Sequence, residues 1–163
     1  MSEPWLSGTL SHLHPGLAAL LYSFEQAQHD LVRWTDGLTA AQIWERPRGL
    51  APVGFQLRHI AGSIDRLFTY AEGGALTADQ LAAMRTEMEP GASREELLAA
   101  IDAVVAGVGK RVRQLDPARL TEPRTVGRQQ LPTTVLGLLV HIAEHTQRHL
   151  GQAITTAKLL REI

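Results

Sequence analysis

Between Ser93 and Pro117 the apolar side chains Leu97, Ile101, Val104, Val105, Val108, Val112 and Leu115 recur at steps of three and four residues. That is the period of a helix burying one stripe, not of a strand, whose faces alternate at every second residue. Both ends are punctuated. Ser93-Arg-Glu-Glu96 has the capping-box form, in which hydroxyl and carboxylate each satisfy a backbone N–H of the other residue, and Asp116-Pro117 stops the helix. Three further stretches repeat the pattern. One runs from Pro15 to Leu38 through Leu17, Leu20, Leu21, Phe24, Ala27, Leu31 and Trp34, with Pro15 suited to a first turn. Another runs from Val53 to roughly Glu72 through Leu57, Ile60, Ile64, Leu67, Phe68 and Ala71, and Gly73-Gly74 ends it. The last starts at a cap on Thr133 or Thr134 and continues through Leu138, Ile142, Ala153 and Leu160.

Each stripe must be covered by another element. Four of them, with no convincing strand pattern, predict an all-α fold: a four-helix bundle with long connecting loops and one or two short extra helices, forming a single domain over residues 1–163. Capping boxes at Thr39-Ala-Ala-Gln42 and Thr77-Ala-Asp-Gln80 mark the short helices, the second reaching about Glu87. Residues 38–52 and 117–131 are expected as loops, on the strength of their prolines and glycines.

Charge and residue usage narrow the function. Lys plus Arg number 16 against 17 Asp plus Glu, with no dense run of one sign, which argues against nucleic acid or a membrane surface as a partner and favours a small molecule. The absence of cysteine removes disulfides, thiolate ligands and a cysteine nucleophile together, so any metal must sit on nitrogen and oxygen. No basic patch followed by an apolar run opens the chain, and no apolar stretch is long enough to span a bilayer; the expected location is the cytoplasm.

The last helix carries His141, His145 and His149 at successive four-residue steps. At 100° per residue, His145 and His149 fall within about 20° of the Leu138 direction, inside the apolar stripe, and His141 lies about 60° away at its edge. Residues four apart are neighbours on a helix, so the inner two imidazoles can converge on one ion. The alternative is a pair of hydrogen-bonded core histidines. Two buried rings in register are hard to satisfy without a shared partner, because each unpaired buried nitrogen costs on the order of 1–3 kcal/mol. Two ligands do not make a stable site, and His59 on the second long helix is the candidate for the third. Its side of the helix, shared with Phe55, Gly62, Ser63, Arg66 and Tyr70, faces away from Leu57, Ile60 and Ile64, which leaves His59 either on the surface or lining a cleft.

Val53-Gly-Phe-Gln-Leu-Arg-His59-Ile-Ala-Gly62, followed by His141-Ile-Ala-Glu-His145-Thr-Gln-Arg-His149-Leu-Gly-Gln152, resembles the DinB-like superfamily of metal-binding four-helix bundles. The resemblance implies one divalent ion, zinc or nickel, held by His59, His145 and His149 with an open position, in a chain that acts as a thiol S-transferase or hydrolase on a small molecule. It further implies a low-molecular-weight thiol as co-substrate, and admits a homodimer. The competing class is a non-catalytic metal or ligand binder, or a bundle whose role is dimerisation. A departure accompanies it, since members often carry His-His-Arg-Gly-Gln where this chain has Arg148, His149 and Leu150 before Gly151-Gln152.

Four neighbouring residues carry weaker expectations. Gly151 is expected to let another helix approach closely. Gln152 is expected either to orient a ligand or to lie on the surface, and Gln28, on the stripe of the first helix, to supply a hydrogen bond inside the cleft. Arg128, in the loop before the last helix, is expected to be solvated, with reach to an anionic substrate group as the other reading. No catalytic base is evident, because Glu144 falls about 120° from the Leu138 direction.

Overall fold

The computed structural model describes residues 3–161. Six helices appear among them: α1 Pro15–Thr35, α2 Ala40–Trp44, α3 Val53–Ala71, α4 Ala78–Arg85, α5 Arg94–Arg113 and α6 Val135–Arg161. Five of the six starts carry a side-chain cap, and α3 opens directly after Pro52 without one. The His14 side chain accepts from Gly16 N at α1, complete capping boxes open α2, α4 and α5, and Thr134 Oγ1 accepts from Gly137 N in the first turn of α6. The expected α1 is shortened by three residues: Thr35 Oγ1 bonds back to Leu31 O, and Gly37, at φ 74°, turns the chain toward α2.

The long helices α1, α3, α5 and α6 form the bundle, with α6 packed on both α1 and α3 and α5 closing the other side. Contacts of Ala51 with Thr156, Gln56 with Gln152 and His149, and His59 with His145 run α3 and α6 antiparallel. Leu31, Ile43, Val53, Leu57, Ile60, Val112, Val135, Ile142 and Ala157 have no measurable exposure and sit in one continuous core. No helix among the described residues is long and apolar enough to cross a membrane.

One expectation is corrected. Residues 117–131 are not a loop throughout: a 3-10 turn at Pro117–Thr121 leads into β1 (Pro123–Val126), which pairs antiparallel with β2 (Leu131–Thr134). Strands of four residues are too short for alternation to show, and two prolines argue against a ladder. In a two-stranded ribbon both strands are edges, where a missing N–H is tolerated. Gly127 (φ 71°) and Gln130 (φ 51°) close the turn, and Arg124 Nε donates to Ala71 O at 2.8 Å, fixing the ribbon to the end of α3. Gly151 is corrected too, since a Cβ there would meet nothing within 4 Å; its segment faces open space. Close approaches lie instead at Gly54, where a Cβ would come within 2.8 Å of the Trp44 ring, at Gly62, where it would strike Arg66 and Glu87, and at Gly137, where it would come within 2.6 Å of Thr133 Oγ1.

Candidate metal centre

His59 of α3 meets His145 and His149 of α6 where the two helices cross. Ring centroids lie 5.1 Å apart for His59 and His145, 4.3 Å for His59 and His149, and 4.5 Å for His145 and His149. One ligand nitrogen from each falls within 4.8 Å of the others. Zinc–imidazole bonds are about 2.0–2.1 Å long, so even at that limit each nitrogen needs to move by roughly 1 Å or less to share an ion. The cleft alternative for His59 is the one realised: its side chain is 20% exposed, with Phe55 stacked on its ring at 5.3 Å.

Periodicity misjudged that side of α3 because burial there is polar. Gln56, Ser63 and Arg66 are all buried, 2%, 5% and 7% exposed, on the His59 side of the helix. Gln56 Oε1 lies 2.7 Å from Nδ1 of His149, and Gln56 Nε2 donates to Gln152 Oε1 at 3.0 Å. An amide oxygen can only accept, so Nδ1 of His149 carries the proton and Nε2 keeps its lone pair. Gln152, exposed on the next turn of α6, therefore acts on His149 through Gln56.

His59 Nδ1 is 2.6 Å from Oε2 of Glu87, and Oε1 of Glu87 lies 2.8 Å from Arg66 Nη1. The second contact is an ion pair without hydrogen-bond geometry, and that oxygen has no other partner. Burial raises the pKa of Glu87, but the hydrogen bond from His59 and the charge of Arg66 outweigh it and hold the carboxyl below its ordinary value, so it is ionised at neutral pH. His145 and His149 shift the other way, both to about 4: burial disfavours the charged ring first, and the neighbouring histidine charges add to it. Neutral imidazoles are the form that binds metal. Nδ1 of His145 is buried with no hydrogen-bond partner.

The flanking residues divide. His141 stands at the edge, its Nδ1 on Glu144 Oε1 at 2.7 Å and its ring 5.4 Å from His145, while Glu144 is exposed and turned away. Arg128 is exposed in the ribbon turn. Gln28 is not in the cleft: its Nε2 donates to Asp102 Oδ1 at 2.6 Å and ties α1 to α5. Glu87 escaped the sequence reading because it follows a short exposed helix and no periodic pattern points it inward. Gln56 did carry a signal, standing three residues before His59 on its side of α3.

Fold and site together define a helical bundle with a three-histidine cluster at a helix crossing, donors that fit a divalent ion. The family model of the DinB superfamily matches residues 23–153, and the chain belongs to that superfamily. No curated protein matches it. Membership and cluster agree on a metal-binding protein of the DinB type.

Proposed function

We propose that this protein is a metal-dependent enzyme, a thiol S-transferase or a hydrolase acting on a small molecule, with His59, His145 and His149 holding one zinc or nickel ion. The observation that carries the reading is the convergence of three ligand nitrogens within 4.8 Å, two of them on rings that burial keeps neutral. An ion bound there would supply Lewis acidity at a position left open to water, thiol or substrate. The chain's part is positional: Gln56 fixes the His149 ring, Phe55 covers one face of His59, and the apolar residues of α3 and α6 behind the rings keep water from the back of the site.

A non-catalytic binder is the second reading, favoured by one observation. Glu87 is the sole buried carboxylate among the described residues, and it is engaged by His59 and Arg66 instead of being free as a base. Elemental analysis of protein purified without added metal tests the site: about one ion per chain is expected, with little left in His145→Ala. Equal metal in both preparations refutes the assignment. Turnover requiring both the ion and a specific thiol or hydrolysable substrate separates enzyme from binder.

A further inference from the structure

From residue 82 to residue 91 every residue is exposed except one, Glu87, which is 5% exposed. A carboxylate turned inward from an otherwise solvated strap needs a reason, because burying an unpaired charge is costly. The strap is clamped to α3 by groups that have no contact with the cluster. Arg58 Nη1 donates to Thr86 O at 2.9 Å and to Glu89 O at 2.5 Å, on either side of Glu87. The Trp44 ring lies 4.7 Å from the Arg58 guanidinium, its Nε1 donates to Ala92 O at 2.8 Å, and the bare backbone of Gly54 makes room for it. Gly62 likewise leaves the space in which Arg66 and Glu87 meet. The whole arrangement delivers one carboxylate to one nitrogen, Nδ1 of His59.

We propose that Glu87, oriented by Arg66 and by the strap, is a positioning residue that holds His59 in its Nδ1–H tautomer and thereby turns the Nε2 lone pair to the ion. This rests on the three-histidine ligand set proposed above. An ionised carboxylate only accepts, so the proton on the facing ring nitrogen must stay there. The positive guanidinium of Arg66 is ion-paired with the other oxygen of Glu87, and that attraction keeps the first on His59. Because the partners sit on either side, a glutamine at this position cannot serve both with acceptors. Its oxygen is drawn to Arg66, its NH2 then faces Nδ1 of His59, and the imidazole proton moves to Nε2, the atom required as ligand.

That argument predicts an order which a merely structural role does not. Removing the side chain in Glu87→Ala admits water, which can accept or donate and lets the tautomer adjust; the near-isosteric Glu87→Gln imposes the wrong one. Zinc affinity, measured by competition with a chromophoric chelator, is expected to fall in the order wild type, Glu87→Ala, Glu87→Gln, with the last about 10- to 100-fold below wild type. In metal-free protein, nitrogen-15 NMR of the imidazoles is expected to show His59 protonated at Nδ1 in wild type and at Nε2 in Glu87→Gln. Equal zinc affinity in all three proteins, or an Nε2–H ring in metal-free wild type, overturns the role of Glu87 alone. A wild type that takes up no zinc instead brings down the ligand set and this proposal with it, a result distinct from either.

Discussion

Nδ1 of His149 stands 2.7 Å from Oε1 of Gln56, a residue of another helix that is itself 2% exposed and bonded through its amide nitrogen to Gln152. The contact commits the imidazole to one tautomer before any ion arrives. Replacing the amide with a hydrocarbon one heavy atom smaller in Gln56→Leu removes the acceptor and keeps the position filled. Zinc affinity is expected to drop by about tenfold, with the ion-free unfolding transition little changed. Chelator competition alongside thermal unfolding checks both halves, and unchanged affinity would refute the contribution of Gln56.

Acid should destabilise the metal-free protein sooner than an ordinary histidine content implies. Burial and the neighbouring charges bring the pKa of His145 and of His149 down to about 4 in the folded protein, against an ordinary value of 6.5. Between those values the unfolded chain takes up protons that the folded chain refuses, so stability falls as pH drops from about 6.5 toward 4 and is level above that window. The depressed carboxyl of Glu87 acts only below its unfolded value, near 4.5, so from pH 6.5 to 5 the histidines dominate. Urea midpoints across that range should decline in wild type and flatten in His145→Gln/His149→Gln; parallel slopes would contradict the assignment.

Two glycines should respond to alanine in opposite directions. Gly54→Ala drives a Cβ to within 2.8 Å of the Trp44 ring, a rigid neighbour, and is expected to destabilise by about 1–3 kcal/mol. Gly151→Ala meets open space inside α6 and is expected to stabilise by about 0.5–1 kcal/mol. Urea denaturation of the two variants decides; loss of stability in Gly151→Ala would show that its bare backbone has an undetected use.

Phe24 is among the largest fully buried side chains, 1% exposed on α1 inside the core formed with α3, α5 and α6. Phe24→Ala should cost about 3–5 kcal/mol, against a total of about 5–15 kcal/mol for an ordinary domain. A midpoint shift worth under about 1 kcal/mol in chemical denaturation would mean the core refills the hole.

Much of the bundle could be read before any coordinates, and the exceptions have identifiable causes. The starts of α2, α4 and α5 follow from capping boxes that form as expected, because such caps are made within four consecutive residues. The ribbon of β1 and β2 was missed, its strands too short and too rich in proline to show a period. Gly151 and Gln28 were misplaced for a common reason: the sequence gives a residue's direction on its own helix but not which neighbour, if any, stands opposite.

The primary structure alone determined the four long amphipathic helices and set His145 and His149 on one inward line, since both follow from a rotation of 100° per residue. Only the tertiary structure decided that His59 joins them, that Gln56 of α3 serves a ring on α6, and that Glu87 turns in from an exposed strap. Helical periodicity separates apolar from polar directions, and on α3 the decisive direction is polar and buried together. Burial of that kind is stable only when partners from other parts of the chain supply the hydrogen bonds and opposite charges, and those partners come together on folding.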